Sequence, residues 1–368
     1  MSSSLQVPFV DLSRQFKSIE AELANEFFAV GRSGTYIMGD RLESFEKKIA
    51  DYVGVNYALG VGNGSDALFL ILKALEIGDG DEVITVPNSF IATAWTIIAS
   101  GAKPVFVDVD ESMNMDSRLI ESAITSSTKA IMPVHLTGRP AMMNGINKIA
   151  SAHKLFVIED AAQAIGASYY GKRVGSLSTA AGFSLHPLKN LSVYGDGGLI
   201  TTNNEDVFKK LRKLRNHGLV NRDECEIWGF NSRLDSMQAA FAEVKLKYLD
   251  GWNTRCRSIA KIYQKQLTKK IEVPLDMEWE ECIYHNFVIR TDRRDELMGY
   301  LKNKGIDTRV HYPIPIHLQK AARTLGYKHG DFPHTEKYAK TMISLPIFPE
   351  LRDEEVDYVV QSINCFFD

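Results

Sequence analysis

Short apolar runs alternate with amphipathic stretches through the first two-thirds of the chain. Tyr57–Val61, Glu82–Val86, Pro104–Val109, Ala130–His135, Phe156–Glu159, Gly182–Leu185 and Gly198–Thr202 are rich in β-branched residues and predict strands. Asp66–Leu75, Ala92–Ala99, Asn144–His153 and Asp206–His217 carry helical spacing between several of them. Such alternation predicts an α/β domain with a largely parallel sheet covered by helices on both faces. Runs such as VFVDV and FVIE are nearly continuous in apolar residues, as strands buried on two sides require.

A helical pattern from Ser236 to Tyr248 leads towards Trp252 and a second helix rich in Lys and Arg. Beyond about Ile271 the texture changes to a strand-like VIRT, a helix over Arg294–Lys304 and an extended VHYPIPIHL. A boundary near residue 250 follows, with a large α/β domain over 1–250 and a smaller α+β domain over 251–368. The length of 368 residues allows two or three domains.

Apolar residues make up 45% and charged residues 24%, ordinary globular usage with ample material for a core. Lys plus Arg number 43 against 46 Asp plus Glu, so no general field draws nucleic acid or an anionic membrane. Cys225, Cys256, Cys282 and Cys365 are far apart, which argues against a disulfide framework or a Cys-rich zinc site. The start MSSSLQVPFVDL lacks the pattern of a signal peptide, and the apolar stretch near Phe90 to Ala99 is too short to span a bilayer. A cytoplasmic protein is the expectation.

Three stretches carry candidate chemistry. Gly60-Val61-Gly62-Asn63-Gly64-Ser65-Asp66 joins a strand to a helix but departs from the dinucleotide fingerprint, whose sixth position is here Ser65. It fits a tight turn as well as it fits a phosphate cradle, in which N–H groups and the helix dipole meet an anion. Glu159 and Asp160 end an apolar strand, where parallel sheets bind ligands, although an Asp there also serves as a helix cap. If the strand continues through both, their side chains point to opposite faces. Lys189 follows an apolar strand and Pro187, between Leu188 and Leu191 and close to a glycine-rich turn. Most lysines are solvated, but burial there would lower the amine's pKa and favour Schiff-base chemistry. His186 reads as a general base or a satisfied polar group. Metal and serine-nucleophile motifs are missing, and KKLRKLR in the Asp206–His217 helix reads as a solvated face.

As a set, GNGSDAL, VPNSFIATA, EDAAQAIGA, FSLHPLKN with YGDGG, and GFNSRLD resemble the DegT/DnrJ/EryC1/StrS family of pyridoxal-phosphate-dependent nucleotide-sugar aminotransferases. The resemblance runs from VPFVDL to SLPIF. It implies the aspartate aminotransferase fold (fold type I), with a mixed, mostly parallel seven-stranded sheet, and a homodimer with sites at the subunit interface. Lys189 resembles the lysine that forms the internal aldimine with pyridoxal 5'-phosphate. Asp160 matches the acid that pairs with the pyridine nitrogen, Phe90 the aromatic stacked on the ring, and Gln163 a residue near the ring hydroxyl. Gly64, Ser65 and Ser184 would hold the phosphate, joined by Asn231 from the neighbouring subunit.

The resemblance also implies ping-pong amino transfer, with glutamate as the expected donor and pyridoxamine phosphate as the alternate cofactor form. The acceptor would be a keto sugar linked to a nucleoside diphosphate. His186, His311 and Tyr312 fall at sugar-side positions, and VHYPIPIHLQ points to amination at C3, with C4 as the alternative. Leu185, Leu188, Thr137 and Arg139 depart from the family pattern and bear on which sugar is used. Lys189 argues against the related dehydratases, which carry histidine in its place. A non-catalytic regulatory protein is the remaining rival.

Overall fold

The structure is a computed structural model and describes residues 5–368. Its centre is a seven-stranded sheet in the spatial order Tyr57–Val61, Gly198–Thr202, Ala180–Ser184, Phe156–Asp160, Thr128–Ile131, Glu82–Thr85, Lys103–Phe106. Gly198–Thr202 runs antiparallel to both its neighbours, and the remaining pairings are parallel. The sheet is therefore mixed and mostly parallel, as expected. The inner strands are buried on both faces, which is why they read as continuous apolar runs.

Strand ends differ from the sequence reading by a few residues. For Pro104–Val109 and Ala130–His135 the strands are Lys103–Phe106 and Thr128–Ile131, with isolated bridges beyond them from Val109 to Met115 and from Val134 to Asp160. Their apolar remainders, such as Val107 and Val134, are buried. The helix expected at Asp66 begins at Gly64, because Asn63 caps it by accepting from the Asp66 N–H at 2.8 Å. That shift places Gly64 and Ser65 in the first helical turn. The helix Glu205–Leu214 ends before His217, as Arg215 turns inward to Glu46 and the Gly60 carbonyl.

A second core gathers Tyr263, Phe287, Leu297, Ile343 and Ile363 around the antiparallel pair Phe287–Arg290 and Met342–Leu345. Helices Leu249–Gln266, Arg294–Asn303 and Asp353–Phe367 cover it. The amino-terminal segment joins this core: Val7 is buried there and its N–H donates to the Gly305 carbonyl at 2.9 Å. Arg14 of the following helix makes a two-pronged pair with the buried Glu355, both bonds 2.8 Å. Among the described residues, no helix is long and apolar enough to cross a membrane.

Candidate active site

The parallel strands all deliver their carboxyl ends to one edge of the sheet, the usual position for ligands in α/β folds. Val61 leads into Gly62–Ser65, Thr85 into Phe90, Ile131 into Thr137, the Asp160 strand into Gln163, and Ser184 into Lys189.

Glu159 and Asp160 face opposite sides of their strand. Glu159 is fully buried and accepts from His135 Nε2 (3.0 Å), the N–H groups of Gly175 (2.8 Å) and Leu177 (3.0 Å), and Ser178 Oγ (2.8 Å). His135 Nδ1 in turn accepts from the Ala141 N–H at 2.9 Å, which fixes the proton on Nε2. Asp160 is also buried but receives only two neutral donors, Thr93 Oγ1 at 2.7 Å and the Ala162 N–H at 3.2 Å. Burial raises its pKa above the ordinary carboxyl value, against the lowering by these bonds and by the charge of Lys189. It remains an acceptor with lone pairs to spare.

Lys189 is partly buried, and its amine makes no ion pair or hydrogen bond within the described chain. Burial pulls its pKa down to about 8, with the charge of Asp160 opposing. The backbone around it is tightly held. The Lys189 N–H donates to the His186 carbonyl at 2.8 Å. Asn190 donates to Asn253 Oδ1 at 2.8 Å, and Gln238 clamps both the N–H and the carbonyl of Tyr194 at 2.8 and 2.9 Å.

At the third loop, Gly64 lies so close to Ser184 that an added Cβ would come within 2.8 Å of the serine Cβ. Gly198 is equally constrained, since a Cβ there would meet the Asn63 carbonyl oxygen at 2.3 Å. Glycine at both positions lets the helix start sink against the sheet. The N–H groups of Gly64 and Ser65, like the Ser65 hydroxyl, have no partner within the described chain. The result is a donor-rich helix start.

Gln163 accepts from the Thr137 N–H at 2.7 Å and donates to the Tyr312 hydroxyl at 3.3 Å. The half-exposed Phe90 ring lies 5.7 Å from that of Tyr312. Burial pushes the Tyr312 phenol up to about 12 and His311 down to about 4, so that His311 is neutral across physiological pH. Lys189 acts electrostatically on His311, and Asp160 on Tyr312. Phe90, Asp160, Gln163, Lys189, His311 and Tyr312 thus converge. His186 is exposed beside Lys189, with its Nδ1 accepting from the Leu188 N–H at 3.3 Å. Asn231 is exposed and its side chain has no partner in the described chain. The next residue, Ser232, links Gly62 and Asp66 beneath the helix start. Arg139, a departure from the family pattern, is committed to Glu280 and the Leu275 carbonyl.

Sequence reasoning missed Thr93 and His285. Thr93 lies three residues after Phe90 on the first turn of the Ile91–Ser100 helix, and nothing local ties it to Asp160, 67 positions away. His285 sits just before a strand far along the chain and carries no local signal.

A model of the DegT/DnrJ/EryC1/StrS aminotransferase family matches residues 17–364. The chain belongs to that family. It is 46% identical to a "pleiotropic regulatory protein" of Geobacillus stearothermophilus, over 99% of each chain. It is 45% identical to the dTDP-3-amino-3,6-dideoxy-α-D-galactopyranose transaminase of Aneurinibacillus thermoaerophilus, over 98% of this chain and 99% of that one. Among solved structures, DesV of S. venezuelae in complex with a ketimine intermediate superposes with a TM-score of 0.97 at 41% identity, covering 98% of each chain. NtdA of Bacillus subtilis with bound cofactor PMP does so at 0.92 and 35%, covering 99% of this chain and 85% of that one. The family's aminotransferase chemistry accounts for an unpaired lysine and an under-bonded carboxylate at one edge of the sheet.

Proposed function

We propose that this aminotransferase uses pyridoxal phosphate, cycling with pyridoxamine phosphate, to move an amino group from glutamate to the C3 keto group of a nucleoside-diphosphate-linked deoxy sugar. The carrying observation is the pairing of Lys189, an amine without a partner, with Asp160, a buried carboxylate without a cation.

The residues fit the cofactor. Asp160 has spare lone pairs for a protonated ring nitrogen, and Thr93 orients it from behind. The helix start at Gly64 and Ser65, with the Ser184 hydroxyl, suits a phosphate, and Gly64 packs this closely on Ser184 only because it lacks a Cβ. Phe90 offers a ring face and Gln163 an amide to the hydroxyl side. When bound, pyridoxal phosphate supplies an electron-withdrawing ring that stabilises negative charge on the substrate carbon.

The chain's own residues do the rest. Lys189, with a pKa near neutrality, can both release and accept a proton at Nζ. Asp160 holds negative charge where a ring cation is needed. His311 and Tyr312, both uncharged, shape a polar wall for the sugar. In a homodimer, Asn231 would add its amide to the phosphate of the neighbouring subunit's site. The family relatives named for 3-amino sugars support C3 over C4.

The similarity to a regulatory protein supports a second reading, cofactor binding without turnover. Addition of L-glutamate to the loaded protein separates the two. Stoichiometric 2-oxoglutarate, followed by transfer of the amine to a dTDP-3-keto sugar, is the expected outcome. Loading without formation of any 2-oxo acid, from glutamate or other amino acids, would favour the regulatory reading.

A further inference from the structure

A cavity of about 80 Å³ opens beside Lys189, with Phe9, Phe348, His285, Asn286 and His311 among its walls. Two consecutive residues of this wall are polar and unfinished. Asn286 is 3% exposed, and its Nδ2 has no hydrogen-bond partner. A buried amide left unpaired is costly unless something else completes it. His285 places Nδ1 at 3.2 Å from Asn190 Oδ1. Asn190 itself donates to Asn253, whose Nδ2 donates to the Ile165 carbonyl at 3.2 Å. The carbonyl anchor sets the direction of the whole relay. Asn190 Oδ1 can only accept, so His285 Nδ1 carries the proton and Nε2 is left as a lone-pair acceptor. Burial, then the charge of Lys189, hold the ring neutral, which keeps that lone pair free.

An unpaired N–H donor and a lone-pair acceptor on consecutive residues complement a hydroxyl, which can accept from one and donate to the other. The cavity borders both the Lys189 amine and His311, which lies on the side proposed for the sugar. We propose that Asn286 and His285 read a hydroxyl on a ring carbon next to the one that carries the amine, and so set which deoxy sugars the enzyme accepts. This rests on the nucleotide-sugar reading and deepens it. Asn190 and Asn253 act as positioning residues that fix the histidine tautomer.

The test uses dTDP-3-amino-3,6-dideoxy-galactose and its 4-deoxy and 2-deoxy analogues. Calorimetric Kd values are measured on cofactor-free protein, and kcat/KM in the direction of amine removal on the loaded enzyme. Wild type should favour the parent sugar over one analogue by about tenfold to a hundredfold. Asn286→Leu and the isosteric Asn286→Asp should bring that ratio towards one, as should His285→Phe, with cofactor absorbance and Tm checking that each variant is folded. Equal affinity of wild type for all three sugars would overturn the proposal, as would a preference that survives in every folded variant. If none of the sugars binds, the nucleotide-sugar reading fails and this inference falls with it, an outcome distinct from equal binding.

Discussion

Glu159 and Asp160 are neighbours on one strand, both buried, and chemically opposite: the first accepts four hydrogen bonds and the second two. A carboxylate with its lone pairs filled is a structural fixture. One that is buried and left short of donors costs stability until a cation completes it.

Substitution should separate these roles. Glu159→Gln places an amide nitrogen against donors and should cost about 3 kcal/mol of stability. Asp160→Asn should leave cofactor-free stability equal or higher while lowering turnover by at least roughly one to two decades. Chemical denaturation and single-turnover rates measure both. Full activity in Asp160→Asn would remove it from the proposed role.

The raised pKa of Asp160 also has a pH signature. Above the ordinary value of 3.8 the folded carboxyl still holds a proton that the unfolded chain has released. The folded state therefore binds more protons in that window, and stability falls as pH rises through it. Cofactor-free Asp160→Asn protein should lose this component of the fall.

Lys189 has the opposite relation. Its folded pKa of about 8 lies below the ordinary 10.5, so between these values the unfolded chain holds the extra proton and stability rises with pH. Lys189→Met should flatten that rise and be the more stable protein below the window. In cofactor-free wild type, the pH dependence of amine acylation, read by peptide mass spectrometry, should show a midpoint for Lys189 well below those of surface lysines.

Thr93→Val removes one of the two donors to Asp160 with little change of shape. Cofactor affinity should fall by about tenfold, the value of one charge-assisted bond. Unchanged affinity would show that Thr93 does not orient the acid.

The carboxyl-end loops were readable in sequence because each packs its chemistry into a few consecutive residues: Gly64 with Ser65, Asp160 with Gln163, His186 with Lys189. Their convergence follows from parallel strands placing those ends on one edge. The joining contacts were not readable. Thr93 reaches Asp160 across 67 positions and His285 reaches Asn190 across 95, distances over which no periodicity carries information. Val7 was hidden for the same reason. Its apolar character shows that it is buried, but only the fold shows that its partners follow residue 250.

A shared site makes a further claim on the assembly. If Asn231 serves the neighbouring subunit, mixing Lys189→Ala with Asn231→Ala protein gives heterodimers with one intact site. Activity should recover on subunit exchange from parents each nearly inactive. No recovery, with exchange demonstrated and both parents impaired, would mean that Asn231 acts within its own chain.

Every step proposed for this site depends on a covalent bond between Lys189 and the cofactor. Borohydride reduction of the pyridoxal-phosphate-loaded protein, followed by peptide mapping, tests it directly. The pyridoxyl group should be found on Lys189 and be lost from that peptide in Lys189→Ala. A stoichiometric label on any other lysine, such as the buried Lys245, whose pKa is also lowered to about 8, would remove Lys189 from that role.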